Sequence, residues 1–391
     1  MEIVFYIVTW ALLISTIIVV IFNDKIRNKF FSKEEEVSTS EQIETNYNEA
    51  IRKMLNDKTS TLYKLIEEQK IRFEDSIDIF LPNFKNLKVL KSNSKSINDV
   101  QNVQKIPTIK DLLLHTAGFS YNFLDDPIGK KYHQSGLFYS KNSTLEDEIN
   151  LLSTIPLLYE PGTRWVYSVS VDILARIIEI ITSSTLQNEL KKRIFNPLEM
   201  YDTGFNIDDN NQSRLMTSYH YDLETKQLIN PKNHPRKISN YDYPINDSSY
   251  SRGGIGLYST VNDYFKFAQM LHLGKSKSGN IIVKKETLEM ATKNQIPSEF
   301  LPFEIKSFDI KQMDENIFEP YGWGFGFRVM MYPEKNEGIG SVGEFGWGGA
   351  ASTYFLVDPK NNLTAVLMTQ VFEGDIILLK DFIQTIYNHL T

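Results

Sequence analysis

The chain has 391 residues, 41% of them hydrophobic and 12% aromatic, enough to bury one large core or two lobes sharing a cleft and too apolar for a disordered chain. The formal net charge is -7, with the 42 Lys and Arg scattered rather than gathered in a stripe, so nothing points to nucleic acid. With 0 cysteines, disulfides, thiolate metal sites and a cysteine nucleophile are excluded.

The first element is the uncharged stretch Ile3 to Phe22, rich in Ile, Val, Leu and Phe. As a helix, twenty residues rising ~1.5 Å each span about 30 Å, one bilayer core. Met1-Glu2 is not a basic start and Val20-Ile21-Phe22-Asn23 is not a small-residue cleavage site, so the reading is an uncleaved single-pass membrane anchor. Lys25, Arg27, Lys29 and Lys33 follow it and by the positive-inside tendency point to the cytoplasm for the bulk of the chain, against the exported domain that the family resemblance given below suggests, so the side of the membrane stays open. Residues 23–46 read as a polar, acidic linker, and 47–391 as the folded domain.

A helix is expected from about Tyr47 to Lys70, with Ala50, Met54, Leu55, Leu62, Leu65 and Ile66 on one side. Thr108 is a plausible N-cap for the run Ile109 to Leu114, which Gly118 can close. Pro161-Gly162 makes a turn, and Trp165 and Tyr167 follow it directly before a helical face of Ile173, Leu174, Ile177, Ile178 and Ile181. A tyrosine parked there either packs in the core or acts as general base or acid in acyl transfer. The second role needs nearby positive charge to lower its pKa from about 10.

Ser251 to Tyr258 is a glycine-rich bend leading into a helix, Val261 to Leu273, capped by Ser259 or Thr260. It lacks the Lys of a phosphate loop. From Tyr321 the period becomes that of strands: Gly322 to Met330, Ser352 to Val357 and Leu363 to Val371, with Asp358 to Asn362 as the turn between the last two. A helix, 375–390, ends the chain. Trp165 and Trp323 read as core, Met330 and Met331 as fill, and Glu344 and Arg328 as candidate substrate contacts that at a strand edge would ordinarily be solvated.

Taken in order, several blocks resemble the serine β-lactamase and penicillin-binding-protein family, in particular the esterase branch related to class C enzymes. They are Leu65-Ile66-Glu67-Glu68 to Pro82-Asn83-Phe84, Leu112 to Tyr121 with His115-Thr116-Ala117-Gly118, Pro161 to Thr203, Gly254 to Thr260 and Gly346 to Thr353. The resemblance implies an α+β fold: an antiparallel β-sheet flanked by helices (sheet mainly 321–371), plus a mostly helical lobe (about 85–250), with the active site in the groove between. It also implies a Ser nucleophile in a Ser-x-x-Lys at a helix start, a Tyr that shuttles its proton, and backbone amides that hold the oxyanion. By resemblance Tyr167 is the base or acid, and Tyr121, Ser168, Trp347, Gly348, Gly349 and Ala350 line the substrate site. No cofactor or metal is implied, and His115 packs at a helix end.

The nucleophile element is the one that fails. Counting back from Leu65 puts Arg52 and Leu55 where Ser and Lys belong. Ser92-Asn93-Ser94-Lys95 has the spacing but lies in a polar loop, and Thr61-Leu62-Tyr63-Lys64 is a threonine version at the wrong distance. The family's strands ahead of that Ser are also replaced by the apolar stretch and linker. The fold is therefore expected to be N-terminally truncated, with Leu363 to Val371 an unpaired edge open to a protein partner. The resulting expectation is a membrane-anchored serine-hydrolase homologue, catalytically impaired, whose groove binds a small-molecule ester, a peptide or a cell-wall fragment. The alternatives are an active esterase, peptidase or penicillin-binding hydrolase using a displaced Ser, and a gene remnant with no stable fold.

Overall fold

The structure, a computed structural model, describes residues 4–8, 17–22, 56–92, 94, 96–138, 143–222, 225, 227–229, 251–306, 316–372 and 375–390. Two strands occupy the apolar amino-terminal stretch: β1 (Val4–Val8) and β2 (Ile17–Phe22). The β-branched run Ile17-Ile18-Val19-Val20-Ile21 suits a pleated strand buried on both faces as well as it suits a bilayer, because both environments select for the same apolar residues.

After them come α1 (Asn56–Glu67), the hairpin β3 (Lys88–Leu90) and β4 (Val100–Asn102), and the helices α2 (Ile109–Leu113), α3 (Pro127–Gln134), α4 (Leu145–Leu152), α5 (Ser170–Thr182) and α6 (Leu186–Leu190). A second hairpin, β5 (Tyr219–Asp222) and β6 (Gln227–Ile229), precedes α7 (Val261–Leu273) and α8 (Lys285–Ala291). The chain closes with β7 (Tyr321–Trp323), β8 (Arg328–Met330), β9 (Phe345–Gly349), β10 (Thr353–Asp358), β11 (Leu363–Met368), β12 (Val371–Phe372) and α9 (Asp375–Asn388).

The main sheet has 7 strands in the order β1-β2-β11-β10-β9-β8-β7, antiparallel throughout. Side chains alternate across it. Phe355 and Val357 of β10 face the larger core, where the Tyr264 ring of α7 meets Phe355 edge-on at 5.8 Å. Tyr354 and Leu356 face the other way, against Leu379, Phe382, Ile383 and Ile386 of α9. The fold is thus the expected antiparallel sheet flanked by helices, beside a lobe built from α2 to α6.

Three expectations at the sheet need correction. The first is the membrane anchor: the stretch predicted to be a helix holds two strands, and among the described residues no helix is long and apolar enough to cross a membrane. The second is the open edge, because β2 pairs with β11 along Val20↔Val366 and its neighbours and so fills the place assigned to a partner chain. The strands that seemed missing are supplied by the residues read as the anchor. The third is the single strand Gly322 to Met330, which is a tight β7–β8 pair. Gly324 and Gly326 turn it, Gly326 at φ 91, and any Cβ on Gly324 would lie 2.2 Å from the Ala291 carbonyl oxygen.

The caps follow the sequence more closely. Thr108 and Asp111 form a capping box on α2, and Thr260 accepts from Asp263 N–H at the start of α7. Gly118 does not close α2. The helix stops at Leu113, and His115 itself takes the left-handed backbone, at φ 54.

A candidate active-site groove

Pro161 to Ser168 runs as an extended segment that docks on the α2 end: Gly162 N–H donates to the Thr116 carbonyl and Val166 N–H to that of His115. It ends at the N-terminus of α5, which fixes Tyr167 in front of the sheet. Trp347, on β9, meets Tyr167 with ring centroids 5.5 Å apart, and Tyr121 stacks on it at 5.5 Å. His115 lies at 4.9 Å, and Trp165, at 6.3 Å, is stacked with it. Trp323 joins Trp347 edge-on at 4.7 Å, Phe303 joins Trp165 at 4.3 Å, and Phe318 stacks on Trp347 at 5.8 Å. Phe123 lies over Tyr121 at 4.7 Å. Phe123 and Phe318 are half-buried and form the rim, while Tyr167 is only 1% exposed. The rings form one packed aromatic cluster, and Trp165 and Trp323 belong to it as core residues.

The electrostatics around Tyr167 oppose a phenolate. Burial raises its pKa and the Asp172 carboxylate adds to the rise, while the Trp347 indole works the other way. Among the described residues, the charge that acts on it is an anion rather than the cation a tyrosine base needs. Asp172, on the first turn of α5, accepts the Gly254 N–H at 3.0 Å, and burial pushes it up from 3.8 to about 6 despite that bond. The glycine-rich bend makes this packing possible. A Cβ on Gly253 would lie 2.1 Å from the Val171 carbonyl oxygen, and one on Gly254 would lie 2.1 Å from the Tyr121 hydroxyl. Behind the bend, the Arg252 Nε donates to Glu148 at 2.6 Å, with both side chains sealed from solvent.

Among the described residues, Ser168 and His115 form the nucleophile-and-base pair that comes nearest to a catalytic one. Ser168 Oγ lies 3.0 Å from His115 Nδ1 and 2.8 Å from Ser170 Oγ. Nδ1 also accepts the Ser168 backbone N–H at 3.2 Å, and burial pushes the imidazole down to about 3. A nitrogen so occupied and so weakly basic holds the loop; it does not activate the hydroxyl.

The two sequence matches to a nucleophile element lie elsewhere. Ser92 and Ser94 are in the turn between β3 and β4, where Ser94 Oγ bonds the Ser96 carbonyl. Lys64, of Thr61-Leu62-Tyr63-Lys64, donates from Nζ to the Ile282 carbonyl at 2.7 Å. Arg52 and Leu55 lie outside the described residues, as does the predicted helix from 47 to 55. Glu344 and Arg328 are 0% and 3% exposed and sit on the face of the sheet away from Tyr167, so neither is a solvated substrate contact. Gly348 has a packing cause: it lies opposite Tyr354, whose ring would be 2.5 Å from any Cβ there. Gly349 and Ala350 continue the same strand end.

Sequence reading missed Asp172, Phe123, Phe303 and Phe318. A signal for Asp172 was present: an acid interrupts the apolar first turn of α5, between Val171 and Ile173.

The comparisons agree with this architecture. A family profile described as Beta-lactamase matches residues 59–383. An uncharacterised protein of Mycobacterium tuberculosis is 26% identical over 314 residues, covering 78% of this chain and 73% of its own. Lovastatin esterase of Penicillium rubens is 28% identical over 295 residues, covering 71% and 68%. Among solved structures, EstCE1, described as a hydrolase with promiscuous acyltransferase activity, superposes with a TM-score of 0.71 at 22% identity, covering 88% of this chain and 86% of its own. The chain belongs to the β-lactamase family.

Proposed function

We propose that this protein binds ligands in a β-lactamase-family groove and is catalytically impaired. The observation that carries this reading is the setting of Tyr167: the side chain at the family's base position is enclosed by rings and held neutral by burial and Asp172. The absence from the sequence of Ser and Lys at the matched positions, Arg52 and Leu55, points the same way. The wall of Trp, Tyr and Phe suits the acyl or aromatic part of a small ester or amide, in keeping with a relative named for esterase activity.

The test is intact-protein mass spectrometry after incubation with a fluorophosphonate and, separately, with a penicillin, while hydrolysis of a nitrophenyl ester is followed. The expected outcome is no adduct and no turnover from a cooperatively folded sample, with ester binding seen as a change in tryptophan fluorescence. A stoichiometric adduct on one serine would refute impairment.

A further inference from the structure

On the face of the sheet opposite the groove, the carboxyl-terminal helix meets a buried cluster of titratable groups. The Tyr387 hydroxyl of α9 lies 2.8 Å from Glu344 Oε2, just ahead of β9, and 2.7 Å from Asp358 Oδ2, at the end of β10. Both carboxyl groups are 0% exposed. A hydroxyl carries one proton, so it can donate to only one of them; at the other, two oxygens at hydrogen-bond distance need a further proton between them.

The remaining donors say where that proton sits. Asp358 is well supplied: Oδ1 accepts from Lys360 N at 3.0 Å and Asn361 N at 3.2 Å, and Oδ2 from Asn361 Nδ2 at 2.7 Å. Glu344 has the Arg328 Nη2 at 3.8 Å from Oε1, beyond hydrogen-bond length, and that guanidinium rests over the Tyr321 ring at 4.5 Å.

We propose that Glu344 holds its proton in the folded protein in mildly acidic solution, so that a directed chain from Glu344 to Tyr387 to Asp358 latches α9 onto the sheet and loosens as Glu344 ionises. The groups facing the latch are Arg328 from β8, Tyr321 from β7 and Asp358 from β10. Lys380 of α9 pairs with Glu337 at 3.4 Å, and His272 of α7 feels Asp358. Burial lifts the Glu344 carboxyl from 4.5 to about 7, against the pull of Arg328 and of the Tyr387 bond and with the help of Asp358. Between those values the folded chain holds a proton that the unfolded chain has lost. The latch is therefore complete at the acid end of that window and weakens as pH rises through about 7. β9, which starts at Phe345, also carries Trp347, so the latch and the groove share one strand.

The experiment is a carboxyl-carbon NMR titration of protein labelled at glutamate, with Glu344→Gln to assign the resonance, alongside hydrogen exchange of the α9 amides. The expected result is one glutamate titrating near pH 7 and absent in the variant. Protection of α9 should fall between about pH 4.5 and about pH 7 in the natural chain and level off above, after correction for intrinsic rates, and hold in Glu344→Gln, whose amide donates to Tyr387 at every pH. Tyr387→Phe, which keeps the ring, should lower protection at both ends. Titration of Glu344 below about pH 5, or equal pH dependence in the natural chain and Glu344→Gln, would overturn the proposal.

Discussion

Replacing Asp172 by Asn tests the electrostatic description of the groove at its weakest charge. In the fold the carboxyl is buried, holds one backbone N–H from Gly254, and is raised from 3.8 to about 6. A pKa higher in the folded than in the unfolded chain means that the folded state binds the proton more tightly. Stability from this group is full in acid, falls as pH rises from about 3.8 to about 6, and is flat above. At about 1.36 kcal/mol per unit, the fall amounts to about 3 kcal/mol.

Asparagine keeps an oxygen for Gly254 N–H and does not titrate. The stability of Asp172→Asn minus that of the natural chain, from urea unfolding at a series of pH values, should therefore climb by about 3 kcal/mol between acid and neutral pH, whatever the offset in acid. The Tyr167 phenol should also ionise at lower pH in the variant, because an anion beside it is gone. A flat difference curve would refute the buried-acid description. A difference that falls with rising pH would mean that a cation pairs with Asp172, and with it the argument for an inert Tyr167 would fail.

Three other perturbations test the architecture. Val20→Pro removes a ladder donor from a strand paired on both sides, at Phe5 and at Val366, and should cost about 3 kcal/mol or more in chemical unfolding, a penalty an anchor outside the fold would not show. Gly348→Ala drives a Cβ to within 2.5 Å of the buried Tyr354 ring and should cost about 1 to 3 kcal/mol, recovered in part by Tyr354→Leu on the same thermal-melt assay. Arg252→Met leaves Glu148 buried without its 2.6 Å partner and should cost about 3 to 5 kcal/mol; changing Glu148 to Gln in the same chain should reduce the loss.

What the sequence revealed divides along a physical line. Helices with their own caps were legible, because Thr108 with Asp111 and Thr260 with Asp263 are local signals that need no partner. The run from Ile17 to Phe22 was not, because length and hydropathy describe how much apolar surface must be hidden, not whether lipid or β11 hides it. The glycines of Gly322 to Met330 were read as strand residues, since the Ala291 carbonyl that crowds Gly324 comes from a distant helix. At the site, Tyr167, Tyr121 and Trp347 could be named from motif order, and the structure brings them together. Asp172 and the rim rings Phe123 and Phe318 could not, because their roles come from which side chains face them across the groove.

The pairing of β2 with β11 also bears on how the chain is made. The sheet joins segments far apart along the chain: Val20 has no lateral partner on that side until Val366 has left the ribosome. At about 5 to 20 residues per second that interval is roughly twenty seconds to a minute. During it an apolar strand precursor stands ready for whatever else binds such segments, whether a chaperone, a targeting factor or another nascent chain. Sheet completion is a long-range event, and β2 needs protection from other partners while it waits.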